Sequence, residues 1–181
     1  MRIISGTFKG RKFYPPAKKW PTRPTTDYAK EGLFNMLMNE IDFEETKMLD
    51  LFGGTGNHCY EFISRGCNDA TYVDKFGLAV KFVHQIAGEL EVSDKINVVK
   101  YDVFKYVAKC TETYDYIFAG PPYALPTLDK LPDEIFATNI LSKDGLFVLE
   151  HDHTNDFSDH PNFLKQRSYG SAIFAFFAHL K

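Results

Sequence analysis

Lys47-Met-Leu-Asp-Leu-Phe-Gly-Gly-Thr-Gly-Asn57 runs a short apolar segment into an acid and then into the glycines Gly53, Gly54 and Gly56. Met48 to Phe52 has the length of a buried strand. The glycines let the backbone turn sharply and approach a ligand that a Cβ would hold off. A helix starting at Asn57 points its free N–H groups into the same crevice. The stretch therefore reads as the strand, loop and helix start of a nucleotide-cofactor site. Glycines are common in any strand-to-helix turn, so the pattern by itself says little. Its weight comes from Asp74, which closes the apolar run Ala70-Thr-Tyr-Val73 and follows Gly56 by 74 − 56 = 18 residues. That is close to the ~20-residue spacing at which a carboxylate meets ribose hydroxyls in dinucleotide folds. Asp50 departs from the phosphate-binding fingerprint, because an acid at the loop mouth repels a pyrophosphate and suits a cationic or hydroxyl-bearing ligand. The expected ligand is a nucleoside without phosphates, and a nicotinamide dehydrogenase is disfavoured.

Downstream, residues 57–65 read as a helix ended by Gly66 and Ala70 to Asp74 as a second strand. A long amphipathic helix follows, with Leu78, Val80, Phe82, Val83, Ile86, Ala87 and Leu90 spaced for one buried face, and Ile96 to Val99 make a third strand. Asp102 comes just after that strand, at the sheet edge where open α/β sheets take their ligands, and is a third acid for the same crevice. Tyr114 to Ala119 is a fourth strand leading into Gly120-Pro121-Pro122-Tyr123, where two prolines lock the turn and hold Tyr123 at the sheet edge. Residues 127–141 are expected to form a helix, Gly145 to Glu150 a fifth strand, and Asn162 to Tyr169 with Ser171 to Ala178 an antiparallel pair turning at Gly170. Upstream, Arg2 to Phe8 and Arg11 to Tyr14 look like a β-hairpin joined through Lys9-Gly10. Pro15, Pro16, Pro21 and Pro24 then make an extended connector around Trp20. Thr25, Thr26 or Asp27 caps the next helix, whose apolar face carries Ala29, Leu33, Phe34, Leu37 and Met38. Strands alternating with helices and finishing in a hairpin predict an α/β fold, a mainly parallel sheet with helices on both faces.

At 181 residues, with 44% hydrophobic and 25% charged content, the chain suits one domain, residues 1–181, in which 1–24 form an N-terminal extension. No apolar run approaches the ~20 residues of a membrane span and no signal-peptide core opens the chain, which predicts a cytoplasmic protein. Cys59, Cys67 and Cys110 contain no Cys-x-x-Cys pair and read as buried reduced thiols. His151 and His153 flank Asp152 but lack a further ligand, so no metal is expected. The net charge of −3 is unevenly spread. Residues 1–30 hold eight Lys and Arg, from Arg2 to Lys30, against Asp27 alone, giving 8 − 1 = +7, and the remainder carries 13 − 23 = −10. Basic residues interleaved with aromatics at one end point to a polyanion such as RNA.

Three groups of residues carry a family resemblance. Arg23-Pro-Thr-Thr-Asp27 with Lys30-Glu31 and Leu33-Phe-Asn35 is the first, Asp50-Leu-Phe-x-Gly-Thr-Gly-Asn57 the second and Pro121-Pro-Tyr123 the third. In this order, with the opening Arg2-Ile-Ile-Ser-Gly6 and the closing Tyr169-Gly170, they resemble the RsmD family of ribosomal RNA guanine N2-methyltransferases over nearly the whole chain. The resemblance implies a seven-stranded, Rossmann-like, S-adenosylmethionine-dependent methyltransferase whose partner is ribosomal RNA or a small-subunit assembly particle. It implies that Asp50, Phe52, Gly54 and Gly56 line the methionine and adenosine parts of the cofactor. Asp74 would hold the ribose hydroxyls, Asp102 the adenine amine, and Arg2, Lys9, Arg11, Lys12 and Arg23 the RNA. The cofactor's sulfonium and ammonium are cationic, so the acids read from the residues agree with it.

In such enzymes an Asp or Asn before Pro-Pro-Tyr accepts a hydrogen bond from the target amine with a proline carbonyl, and the aromatic stacks on the base. Here Gly120, Pro121, Pro122 and Tyr123 occupy the catalytic turn, and Gly120 has no side chain to accept anything. One preorganised hydrogen-bonding group is worth ~10²–10³ in rate, so cofactor binding with slow methyl transfer is expected. His58, Tyr60 and Glu150 lie near the crevice, with helix surface and strand end as their expected places. Two other readings stay open: an adenine N6-methyltransferase, since the Pro-Pro-Tyr turn does not name the base, and a catalytically silent RNA-binding or assembly relative.

Overall fold

The computed structural model describes residues 1–16 and 25–180, so Arg23 and the stretch of the proline-rich arm from 17 to 24 lie outside the described residues. Seven strands form one sheet: β1 (Lys47–Leu51), β2 (Asp69–Asp74), β3 (Ile96–Lys100), β4 (Tyr114–Ala119), β5 (Leu141–His151), β6 (Phe163–Tyr169) and β7 (Ala172–Phe177). Their order across the sheet is β3-β2-β1-β4-β5-β7-β6. β1 to β5 pair in parallel, and β7 runs antiparallel to both β5 and β6. Parallel neighbours need a crossover, which is why helices separate the first five strands. The last two need only a tight turn, which Gly170 makes with φ +66°. This is the expected mostly parallel seven-stranded sheet with its C-terminal antiparallel hairpin.

Strand periodicity divides the core between the two faces. Met48, Tyr116, Phe118, Val148, Phe174 and Phe176 face a cluster with α1 (Asp27–Leu37), α2 (Asn57–Ser64) and α3 (Gly77–Glu89). Their neighbours Leu49, Leu51, Ile117, Ala119, Phe147 and Phe177 face α4 (Val103–Lys109) and α5 (Leu131–Phe136). α1 begins at Thr26, whose hydroxyl accepts from the Ala29 amide at 3.2 Å. Two residues leave their expected apolar faces: Met38 falls just beyond α1 and is 59% exposed, and Leu78, in the first turn of α3, is 45% exposed.

The elements differ from the sequence reading in three places. The N-terminal hairpin narrows to one antiparallel bridge, Arg2 with Lys12, because Ile3 and Phe13 turn into the core and the chain between them is taken up by turns. The helix expected over 127–141 is a short 3₁₀ turn at Leu128–Lys130 and then α5. Leu141 already pairs with Tyr114 of β4, and residues 142–145 bulge before Leu146 pairs with Tyr116. Residues 103–109, for which the sequence reading gives no helix, form α4, capped by Asp102 accepting from the Lys105 amide at 3.2 Å.

A buried ion cluster ties the N-terminus to this frame. Lys30 Nζ on α1 lies 3.1 Å from Glu61 Oε2 on α2 and donates to Asn57 Oδ1 at 2.9 Å and to the Arg2 carbonyl at 2.5 Å. Glu61 also accepts from the Ile4 and Ser5 amides at 2.8 and 3.0 Å and pairs with Arg65 at 2.9 Å. Burial pulls the Lys30 ammonium down from its usual range, and Glu61 opposes the shift.

Candidate active site

The strand order reverses between β1 and β4, and ligands of open α/β sheets bind outside the carboxyl ends of the strands at such a point. The loop after β1 is built there. Phe52, Gly54 and Gly56 all take left-handed backbone, with φ of +58°, +51° and +74°. That conformation is strained for Phe52 and open to glycine. β2 holds the loop in place: Asp74 Oδ2 accepts from the Gly54 amide at 2.9 Å, and the Tyr72 hydroxyl donates to the Gly54 carbonyl at 2.8 Å. A Cβ on Gly53 would come within 2.4 Å of the Tyr72 ring. Asp74 Oδ1 also accepts from the Phe76 amide at 2.8 Å, so one carboxylate fixes both the glycine loop and the entry to α3.

Phe52, Asp74, Phe76, Asp102, Phe104 and Gly120 line a cleft of about 450 Å³. A small inner cavity of about 70 Å³ continues from it past Phe52 and Gly120 to Asp50, Gly54, Phe118 and Glu150. An outer pocket of about 350 Å³ lies between Thr25, Tyr28, Tyr123, Glu150, Tyr169 and Gly170. Gly56 stays behind these walls as the cap of α2, with its Cβ position 2.7 Å from the Tyr60 hydroxyl. Asp50 is 1% exposed, and its Oδ2 accepts from Cys59 Sγ at 3.4 Å. Burial, with the Asp74 charge adding to it, raises the Asp50 carboxyl to about 7.

The family model described as Conserved hypothetical protein 95 matches residues 1–178. The chain belongs to the RsmD family. YlbH of Bacillus subtilis (strain 168) is 36% identical over 155 residues, which is 84% of this chain and 83% of that protein. Ribosomal RNA small subunit methyltransferase D of Buchnera aphidicola subsp. Baizongia pistaciae is 29% identical over 154 residues, 85% of this chain and 77% of its own. A solved hypothetical protein of Thermus thermophilus superposes with a TM-score of 0.85 at 25% identity and 99% coverage of both chains.

In this RsmD-family chain the Gly120 amide donates to the Leu51 carbonyl at 3.2 Å, which sets the Pro-Pro-Tyr turn against the end of β1. Pro121 is buried, Pro122 exposed and Tyr123 half-buried, and the Tyr123 hydroxyl donates to Glu150 Oε1 at 2.8 Å. Thr25 Oγ1 donates to Glu150 Oε2. Glu150 is only 5% exposed and lines both the inner cavity and the outer pocket. Sequence reasoning left it without a role. The available signal was its parity: it follows Val148 by two residues, so it faces the same side of the sheet as Asp50 and Phe118.

Other expectations change. His58 and Tyr60 are core residues and not helix surface. The His58 ring stacks on Phe118 with centroids 3.8 Å apart and shares a hydrogen bond with the Tyr116 hydroxyl at 3.0 Å. Burial holds this imidazole well below its usual pKa. His151 is buried against Phe157, whereas His153 is exposed beyond the end of β5, so the two do not form a pair. Cys59 and Cys67 are buried free thiols, and Cys110 is only half-buried.

Arg2, Lys9, Arg11 and Lys12 are all exposed on the N-terminal segment. Arg2 reaches Asp27 at 3.6 Å, which sets this basic surface beside the first turn of α1 and so beside the outer pocket. Lys30 leaves the basic set, because its charge is buried against Glu61.

Proposed function

We propose that this protein transfers a methyl group from S-adenosylmethionine to the exocyclic N2 amine of a guanine in small-subunit ribosomal RNA. The observation that carries the reading is the meeting of the glycine loop and the Pro-Pro-Tyr turn in one cleft at the switch point, with Gly120 on the walls of both cleft and inner cavity. Membership of the RsmD family supports the RNA substrate.

The donor set fits this cofactor. Phe52, Phe76 and Phe104 offer aromatic faces to an adenine, Asp74 and Asp102 accept from hydroxyls and an amine, and the backbone between Gly53 and Gly56 leaves no room for added side chains beside Tyr72 and Tyr60. Asp50 lies at the inner end, where a cationic ligand favours its ionised form. When bound, S-adenosylmethionine supplies an electrophilic methyl group on a sulfonium.

The residues of the chain position the base. A guanine unstacked from its helix enters the outer pocket, where Tyr123 offers a ring to stack on. The Pro121 and Pro122 turn fixes where that ring stands, and alignment of this kind is worth several powers of ten in rate. Gly120 leaves the turn without its own acceptor, which weakens turnover. Gly120→Asp therefore raises the methylation rate with little change in cofactor affinity.

Labelled S-adenosylmethionine incubated with small-subunit particles, followed by nucleoside mass spectrometry, tests the proposal. N2-methylguanosine is the expected product. N6-methyladenosine would replace the guanine reading with the adenine one. Cofactor binding with no labelled product on RNA or particles would leave a silent binding protein.

A further inference from the structure

Gly120 removes the side-chain amine acceptor from the turn, yet the site beside it is not empty of side-chain acceptors. A Cβ built on Gly120 would lie 3.9 Å from Glu150 Oε2 and 3.2 Å from the Phe118 ring. Carboxylate oxygen therefore stands at contact distance from the point where the missing side chain would begin. Glu150 reaches this spot from the neighbouring strand, since Ala119 of β4 pairs with Leu149 of β5 and the residues after them stand side by side at the carboxyl edge. We infer that Glu150 takes over, from the adjacent strand, the amine-accepting role that the catalytic turn lacks at Gly120. The inference rests on the methyl-transfer reading above.

The geometry gives the two oxygens different tasks. Oε1 accepts from the Tyr123 hydroxyl at 2.8 Å and so steadies the ring on which the base stacks. Oε2 accepts from Thr25 and faces the position of the absent 120 side chain. An ionised carboxylate accepts through two lone pairs on each oxygen, so the target amine binds the same group that orients the ring. A bound S-adenosylmethionine would supply the methyl group, which the amine nitrogen would take with its lone pair as the carbon–sulfur pair stays with sulfur. The nitrogen then carries one proton too many, which passes to Glu150 and from there to water. The carboxylate comes from a different backbone than the turn, so this replacement is less well aligned than an Asp at 120 and restores only part of the rate.

The test compares the native protein, Glu150→Ala, Glu150→Gln and the double variant Gly120→Asp/Glu150→Ala, each checked for folding by circular dichroism. Cofactor affinity is measured calorimetrically and methyl transfer on small-subunit particles. Glu150→Ala is expected to lower kcat by ~10²-fold with cofactor affinity within about twofold of native. Glu150→Gln keeps an acceptor oxygen but no base, and falls between the two. The double variant is expected to recover at least tenfold of the loss, because the turn regains its own acceptor. A Glu150→Ala protein as fast as native overturns the inference, and so does a folded, cofactor-binding double variant no faster than Glu150→Ala. If the native protein binds S-adenosylmethionine and transfers no methyl group, Glu150 does not replace the acceptor. If it does not bind the cofactor at all, the methyl-transfer reading itself falls.

Discussion

The ammonium of Lys30 lies 3.1 Å from the carboxylate of Glu61, and both side chains are closed off from solvent. Removing one partner of such a pair leaves an uncompensated buried charge, which costs about 3–5 kcal/mol. Glu61→Ala leaves Lys30 in that state and frees the Ile4 and Ser5 amides as well. Chemical denaturation should show a loss of this size, and hydrogen exchange at Ile4 and Ser5 should accelerate. Stability close to native would mean that the cluster contributes little.

Asp50 links stability to pH. Its carboxyl is raised to about 7 in the folded protein, against about 3.9 in an unfolded chain. The folded state therefore holds the proton more firmly, and the stability this contributes is complete below about pH 4 and lost as pH rises through about 7. Asp50→Asn removes the titration. Thermal melts from pH 4 to 8 without cofactor should show native melting temperature falling relative to the variant across that window. A constant difference between the two proteins would refute the linkage.

Gly53 is held by space and not by backbone angle. An added Cβ meets the Tyr72 ring at 2.4 Å, and that tyrosine is fully buried and hydrogen-bonded to Gly54. Overpacking of this kind costs roughly 1–3 kcal/mol. Gly53→Ala should lose that much stability in denaturant titrations, with weaker cofactor binding because the loop shifts off β2. An alanine variant with native affinity would separate the loop's packing from the cofactor.

Arg11 and Lys12 are exposed, away from the walls of the cleft. Reversing both charges should weaken RNA binding and flatten its dependence on salt by roughly one to two units of logarithmic slope, while cofactor affinity holds. Filter binding across a salt series measures the first and calorimetry the second. Equal loss of both affinities would signal misfolding in place of a lost RNA contact.

Much of this molecule was legible in the chain. Mainly apolar runs of strand length, Met48 to Phe52, Ala70 to Asp74 and Tyr114 to Ala119, predicted the central strands, because a strand buried on both faces must be largely apolar. Local chemistry likewise narrowed the α1 cap to Thr25, Thr26 or Asp27, of which the structure uses Thr26, and put Gly170 in a turn. α4 was hidden because seven residues offer too little periodicity, and the 127–141 helix was overdrawn because Leu141 joins β4 through a contact distant in sequence.

The glycine loop, the three acids and the Pro-Pro-Tyr turn could be named from sequence because each is a local signature of residue type and spacing. Whether they share a cleft depended on strand order, since β1 and β4 are neighbours in space while 62 residues, 52–113, separate them in the chain. The burial of Lys30 and the approach of Glu150 to Gly120 were likewise decided only by the tertiary structure. A lysine on a helix and a glutamate at a strand end carry no sign of their partners, because desolvation and contact arise only when distant elements pack.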